Sequence, residues 1–288
     1  TGVRVIDSST GENLVFNAKV IFLCASAIAT ASILLQSKSD RFPNGMGNDS
    51  GELGRNIMDH HFKAGAFADV DGFEDQYFQG RRPNGIYIPR FRNIGGVTDQ
   101  PNFKRGYGYQ GGASRGNYGD QIAEIGYGKD LKDLVSRPGK WSMTLMGFGE
   151  CLPYHENKME LDYDKKDQWG LPTVTFDVEW KENEWEMRKD MVQQAMEMLK
   201  MAGYKNIRPW DDPGAPGLGI HEMGTARMGR DPKTSVLNGN NQIHTVPNVY
   251  CTDGSFMTSA SCVNPSLTYM AFTARAANHA IEQLKMES

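Results

Sequence analysis

The sequence predicts an α/β protein with an α+β middle, and three observations carry that reading. KVIFLCA, at 19–25, is an unbroken apolar run of strand length, the pattern of a strand covered on both faces in a parallel sheet. It passes through small residues, Ser26 to Thr30, into the helical stretch ATASILLQS. From His61 onward the pattern changes to alternation. Phe62, Ala64, Ala66 and Ala68 recur at every second position, as do parts of NGIYIPRF, WSMTLMGFGE and LPTVTFDVEW, which predicts an antiparallel sheet with one covered face. Near the end, the strand NVYCTD leads through a loop to a helix opened by Asn264-Pro265, a favoured N-cap followed by a favoured first helical residue.

The remaining elements follow in order. Val3 and Val5 pair with Leu14 and Phe16 across a turn at Ser9-Thr10-Gly11, giving a hairpin. Residues 40–60 are punctuated by Pro43, Gly45, Gly47, Gly51 and Gly54 and read as loop. GYGYQGGASRGNYG, from Gly106 to Gly119, reads as a mobile surface loop or an active-site lid, because its six glycines do little to fix a backbone. Trp180 ends the last strand of the middle region. Lys181 to Ala202 then predicts a helix with Trp185, Met191, Val192, Ala195, Leu199 and Ala202 near one face, stopped by Gly203. DDPGAPGLG, at 211–219, marks the clearest boundary. The final helix carries an apolar stripe through Leu267, Ala271, Ala274, Asn278 and Ile281. The organisation expected is therefore 1–60, 61–219 and 220–288, with the outer two segments packed together.

Composition narrows the function. The 288 residues hold 31 Lys and Arg against 35 Asp and Glu, a net charge of −4, which excludes the basic footprint of a nucleic-acid binder. No run approaches the roughly 18 apolar residues of a membrane span. The N-terminus carries neither a basic leader nor an apolar signal core, and it opens inside a strand-like run without Met, as if a longer protein continued here. Cys24, Cys151, Cys251 and Cys262 form no C-x-x-C pair, so packing thiols are expected rather than zinc or a disulfide framework. Asp59, His60, His61 and His221 are metal-ligand types, but neighbours in an extended segment face opposite ways and no second histidine follows at i+3 or i+4. No metal is predicted. No G-x-S-x-G sits at a strand-to-helix turn, which disfavours a serine hydrolase, and the strand-to-helix stretch at 19–37 holds no G-x-G-x-x-G.

HEMGTARMG, then PNVYCTDGS, then NPSLTYMAFTARAA resembles the C-terminal signature of the glucose-methanol-choline (GMC) oxidoreductases, and AKVIFLCASAIATASILLQS and LGRNIMDHH resemble the family's middle segments. These motifs span residues 1–60 and 218–288; the region between is compatible with the family's antiparallel substrate domain. The resemblance implies a partial FAD-binding, Rossmann-like domain built from 1–60 and 220–288, with a substrate domain at 61–219. It also implies a missing N-terminal FAD-binding portion as partner, since the family's dinucleotide fingerprint lies there. Two departures stand out: Ser26 and Ser32 replace the family's usual Gly and Pro.

What the resemblance implies chemically is oxidation of a CH–OH group, with FAD taking a hydride at N5. His221 matches the family's base, and a neutral imidazole suits removal of the hydroxyl proton at neutral pH. The bland alternative is a histidine that satisfies a structural hydrogen bond. Asn264 matches the second catalytic position, where an amide can hydrogen-bond the substrate oxygen; its alternative is helix capping alone. Asp253 and Gly254 match the flavin-contacting turn, and Asn264, Pro265 and Ser266 would place a positive helix end by the flavin. Thr268 and Ala25 are weaker contacts, and Asn56 is either near the cofactor or a loop-structuring residue. Asn264 in place of a second histidine resembles the sugar-oxidising branches, pyranose oxidases and glucoside dehydrogenases, so a sugar or glycoside is the substrate expected, with a non-sugar alcohol or an inert fragment as alternatives. The electron acceptor is not legible.

Overall fold

The structure, a computed structural model, describes residues 2–73, 75, 85–115, 127–135 and 139–286. The chain divides into two compact units. One comprises 1–60, 151–180 and 215–288, and the other 61–150 and 181–214. Residues 151–180 thus belong with the terminal segments, although their alternation had grouped them with the middle region.

In the first unit, β1 (Gly2–Ile6) and β2 (Asn13–Asn17) pair antiparallel, with Asp7 Oδ1 accepting the turn amides of Ser9 and Thr10 at 2.8 and 3.2 Å. β3 (Ile21–Leu23) lies parallel to β12 (Val246–Cys251), Leu23 opposite Cys251, and β12 pairs antiparallel with β11 (Gln242–Ile243). The parallel pairing is as expected, but full coverage is not: Phe22 stays 36% exposed, lying flat on Tyr250 with ring centroids 5.0 Å apart. Helix α1 (Ala27–Gln36) buries Ala27, Thr30, Ala31 and Leu34, and its Ala31 and Leu34 join Leu53, Met159, Leu237, Ile243 and Phe256 in the core of this unit. β8 (Lys158–Lys166) and β9 (Pro172–Asp177) form a hairpin whose β9 ends three residues before Trp180. Helix α4 (Ser266–Met286) begins one residue later than the Asn-Pro signal suggested. Its buried side is Ala276 and Ala280, with Tyr269 and Phe272 turned onto the ring of Phe256. The stripe expected through Leu267 and Ile281 is the exposed side, because the aromatic residues, not the aliphatic ones, set the helix rotation.

The second unit is a five-stranded sheet in the order β10-β4-β7-β6-β5, in which β10 (Lys205–Asp211) with β4 (His60–Val70), β5 (Gly85–Ile88) with β6 (Tyr107–Arg115), and β6 with β7 (Trp141–Glu150) pair antiparallel. A short helix, α2 (Lys129–Val135), precedes β7. Helix α3 (Glu182–Met201) lays Met187, Met191, Ala195 and Leu199 on Ala64, Ala66, Ala68, Tyr107, Tyr109 and Leu145. Burying each large side chain of that row stabilises the unit by about 1.5–3 kcal/mol. The buried row runs at i, i+4, i+8 and i+12, and Trp185 and Ala202, expected on it, are exposed. Gly203 stops the helix in the left-handed region, φ 83°.

The glycine-rich run expected as a loop or lid is corrected: Tyr107–Arg115 is a paired interior strand, while 116–119 lie outside the described residues. Its glycines serve close approach rather than mobility. A Cβ on Gly111 would run into the Thr144 carbonyl of the neighbouring strand, and one on Gly108 would sit 2.8 Å from the Ile88 carbonyl. Three of the four cysteines are buried as expected, but Cys24 is exposed. Among the described residues, no helix is long and apolar enough to cross a membrane.

Arg188 is fully buried and pins α3 to the sheet: its guanidinium donates to Phe62 O at 2.6 Å and Lys63 O at 3.2 Å and pairs with Asp211. Asp211→Ala would remove a charge-assisted hydrogen-bond partner of this buried cation. It should lower unfolding stability by about 1.5–3 kcal/mol, read from the urea midpoint. Gly111→Ala should destabilise by about 1–3 kcal/mol because a backbone carbonyl cannot yield as a side chain can. Gly170→Ala, whose Cβ meets nothing within 4 Å but whose φ is 82°, should cost no more than about 1 kcal/mol in the same measurement.

Candidate active site

Every residue that the sequence offered as catalytic or cofactor-binding lies in the first unit. The parallel pair β3 and β12 delivers two loops side by side at the strands' carboxyl ends, where ligands of open α/β sheets bind. On one, Ala25 N donates to Thr30 Oγ1 at 3.3 Å, and on the other Asp253 takes the Thr30 hydroxyl at 2.5 Å and the Ser255 amide at 2.9 Å. Cys24 Sγ and Thr252 Oγ1 are 3.2 Å apart, joining the loops one residue earlier. Ala25 and Ser26 are exposed, and Ser26 sits at φ 82°, a conformation that favours glycine. The departure from glycine noted in the sequence therefore falls at a backbone position where glycine is the easier residue.

The segment carrying His221 is laced to its neighbours by backbone hydrogen bonds. Met58 and Met223 exchange both bonds at 2.9 Å, Gly224 N donates to Gly254 O at 3.1 Å, and Ala226 N to Ser255 O at 2.9 Å. Two glycines permit this. A Cβ on Gly224, φ 100°, would strike the Asn56 carbonyl, and one on Gly254 would strike the Glu222 carbonyl and lie 2.8 Å from the Tyr269 hydroxyl. Asn56 is buried at φ 59°, with its amide nitrogen on Glu52 at 2.8 Å and its oxygen 3.5 Å from Arg227. Its side chain is thus committed to structuring the loop, while its carbonyl abuts Gly224.

His221 is half-buried, and its Nε2 lies 3.3 Å from Asn264 Nδ2, so the fold brings together the two side chains that the sequence singled out. Asn264 is exposed and points its amide at the imidazole. Pro265, Ser266 and Thr268 follow in the first turn of α4, closed by Tyr269 N donating to Pro265 O at 3.1 Å.

Two residues considered in the sequence only as metal-ligand types stand behind His221. Asp59 is buried and accepts three backbone amides: Gly219 at 2.7 Å, His60 at 2.7 Å and His221 at 3.0 Å. Burial pushes its carboxyl above the ordinary range, against the pull of those three donors. His60, also buried, places Nδ1 2.9 Å from His221 Nδ1 and Nε2 3.3 Å from the Ala260 carbonyl. The signal was the polar run MDHH at the entry to a strand whose next positions are apolar. Burial, reinforced by the charges of Asp253, Glu222 and Asp59, pushes the Tyr269 phenol up, which keeps it a neutral group. Among the described residues, no group of three or more His, Cys, Asp or Glu is arranged to hold a metal.

Comparison with known proteins bears on this geometry. Residues 153–273 match the family model described as GMC oxidoreductase. The chain is 31% identical over 97% of its length to 2-methyl-1,2-propanediol dehydrogenase of Mycolicibacterium austroafricanum, covering 50% of that protein. It is 29% identical over 93% of its length to the fructose dehydrogenase large subunit of Gluconobacter japonicus, covering 48%. Among solved structures, an Aspergillus oryzae formate oxidase variant, studied for its effect on FAD modification, superposes with a TM-score of 0.67 at 14% identity, covering 99% of this chain and 57% of that one. This chain spans about half the length of the curated relatives it matches. The chain belongs to the glucose-methanol-choline (GMC) oxidoreductase family.

Proposed function

We propose that this chain is the catalytic, C-terminal portion of an FAD-dependent oxidoreductase acting on the CH–OH group of a sugar or glycoside. The observation that carries the reading is the 3.3 Å approach of His221 Nε2 and Asn264 Nδ2 at the start of α4. An imidazole lone pair beside an amide donor can do two things at one hydroxyl group: accept its proton and hold its oxygen. The N-terminal end of a 21-residue helix adds partial positive charge at the same place.

The residues fit the cofactor. Ala25 and Ser26 present exposed backbone beyond the carboxyl end of β3, and the buried Ser255 Oγ beside Asp253 and Gly254 has no partner among the described residues. Ala25, Asp253, Gly254, Asn264, Pro265, Ser266 and Thr268 would hold FAD, with Asn56 acting through its backbone. FAD, when bound, supplies the acceptor for the hydride that leaves the carbinol carbon. The chain's own part is at oxygen: His221 Nε2 takes the hydroxyl proton and Asn264 hydrogen-bonds the oxygen as it gains charge. We assign the unit of 1–60, 151–180 and 215–288 to the cofactor domain and that of 61–150 and 181–214 to the substrate domain. An N-terminal portion that cradles the phosphates completes the cofactor site, a reading supported by the half-length coverage of the relatives. A second substrate reading, a small aliphatic alcohol, is supported by the diol dehydrogenase among those relatives.

The isolated 288 residues should keep little FAD through gel filtration, whereas the full-length protein should absorb in the visible. Stoichiometric flavin on the isolated chain would overturn the shared cofactor site. In the full-length flavoprotein, stopped-flow reduction with a panel of sugars, glycosides and short diols separates the two substrate readings. His221→Ala should slow that reduction by about 10² to 10⁴, the contribution of a positioned base. Asn264→Ala should cost less, about 2–4 kcal/mol of barrier at most. A His221→Ala enzyme reduced at the parent rate under saturating substrate would return His221 to a structural role.

A further inference from the structure

We infer that His60 is a positioning residue that sets the tautomer of His221, holding its proton on Nδ1 so that Nε2 carries the lone pair. This rests on the reading of His221 as the base and adds to it the group that determines which nitrogen is available. An imidazole's usable nitrogen is decided by the hydrogen bond its other nitrogen makes. At this site the chain of bonds can be followed from a fixed end.

The fixed end is the Ala260 carbonyl, which can only accept. His60 Nε2 lies 3.3 Å from it and must therefore carry the hydrogen. His60 is 2% exposed, and burial disfavours the doubly protonated cation, so its Nδ1 is an acceptor. That acceptor is 2.9 Å from His221 Nδ1, and the contact is a hydrogen bond only if His221 Nδ1 donates. His221 Nε2 is then left bare, 3.3 Å from the Asn264 amide nitrogen, which is a donor. Four groups, Ala260 O, His60, His221 and Asn264, thus have a single mutually consistent assignment of protons.

The backbone holds this chain in place. Asp59 accepts the amides of both His60 and His221, at 2.7 and 3.0 Å, and the two rings meet edge to face at 76° with centroids 4.9 Å apart. In the reaction the substrate O–H bond breaks, its proton forms the Nε2–H bond of His221, and the oxygen keeps the electron pair. The hydride leaves to the acceptor already assigned. The imidazolium formed continues to donate from Nδ1 to neutral His60, a charge-assisted bond stronger than the one before transfer.

The test needs no flavin. Histidine-selective ¹⁵N NMR of the full-length protein, with His221 assigned by loss of its signals in His221→Ala, reads the tautomer directly. The expected result is a protonated, pyrrole-type Nδ1 and a bare, pyridine-type Nε2 in the parent. His60→Gln, whose amide can both accept from His221 and donate to Ala260, should keep that signature, and His60→Phe should shift it towards Nε2–H. In the full-length flavoprotein, His60→Phe should lower kcat on the order of 10- to 100-fold, the scale seen when partners that orient metal-bound histidines are removed, with KM little changed; His60→Gln should restore most of it. A parent His221 protonated at Nε2, or an unchanged tautomer in His60→Phe, overturns the inference. Should His60→Phe fail to fold, the parent spectrum and His60→Gln still decide. The two readings fail separately, because a His221→Ala enzyme with undiminished flavin reduction removes the base while leaving the tautomer result standing.

Discussion

The arrangement around His221 depends on one buried carboxylate. Asp59 gathers the amides of Gly219, His60 and His221, and so binds residues about 160 positions apart in the chain into a single turn-like cluster. Withdrawing a carboxylate from water is costly, and three N–H donors are what makes a buried one tolerable. Hydrogen bonds to a charged group contribute about 1.5–3 kcal/mol each, the scale needed to oppose that desolvation. The geometric result matters as much as the energy. Two histidines whose backbones hang from one carboxylate cannot drift independently, and their ring-to-ring distance becomes a property of the fold.

Around this anchor, the remaining parts are positioned by backbone rather than by side chains. The residues from Met223 to Met228 pair on one side with Met58 and on the other with Gly254, Ser255 and Phe256. At Gly219, Gly224 and Gly254, adding one carbon would collide with a carbonyl. Side chains placed on such a lattice inherit its rigidity, which is why an exposed residue such as Asn264 can still meet His221 at hydrogen-bond distance.

Much of this was legible in sequence, and the failures are instructive. His221, Asn264, Asp253 and Gly254 were singled out because their types match a reaction and their motifs follow a family's order, and the fold brings His221 and Asn264 within 3.3 Å. The strands WSMTLMGFGE and the hairpin at the N-terminus were legible because period-two alternation is a local property. Tyr107–Arg115 was misread because glycine has two meanings, conformational freedom and close approach, and only the neighbouring strand decides between them. The alternating Tyr107 and Tyr109 carried the strand signal. The final helix was misread for a related reason: both of its sides are apolar, so no periodicity count could choose the face that Phe256 would occupy. Asp59 and His60 were visible as residue types, but their work lies in bonds to amides some 160 residues away.

The parallel contact between β3 and β12 also has a temporal meaning. Leu23 opposes Cys251, and the residues just beyond them touch across a separation of 228 positions. Every strand of the five-stranded sheet has been synthesised by Asp211, yet the small parallel sheet cannot close until Cys251 emerges about 40 residues later, roughly 2–8 s at ordinary translation rates. Through that interval Ile21, Phe22 and Leu23 form an apolar strand without its partner, and loop closure over such a length is slow as well as late. The order in which the chain is made thus delays the meeting of the Ala25 and Asp253 loops until after every strand of the five-stranded sheet has been made.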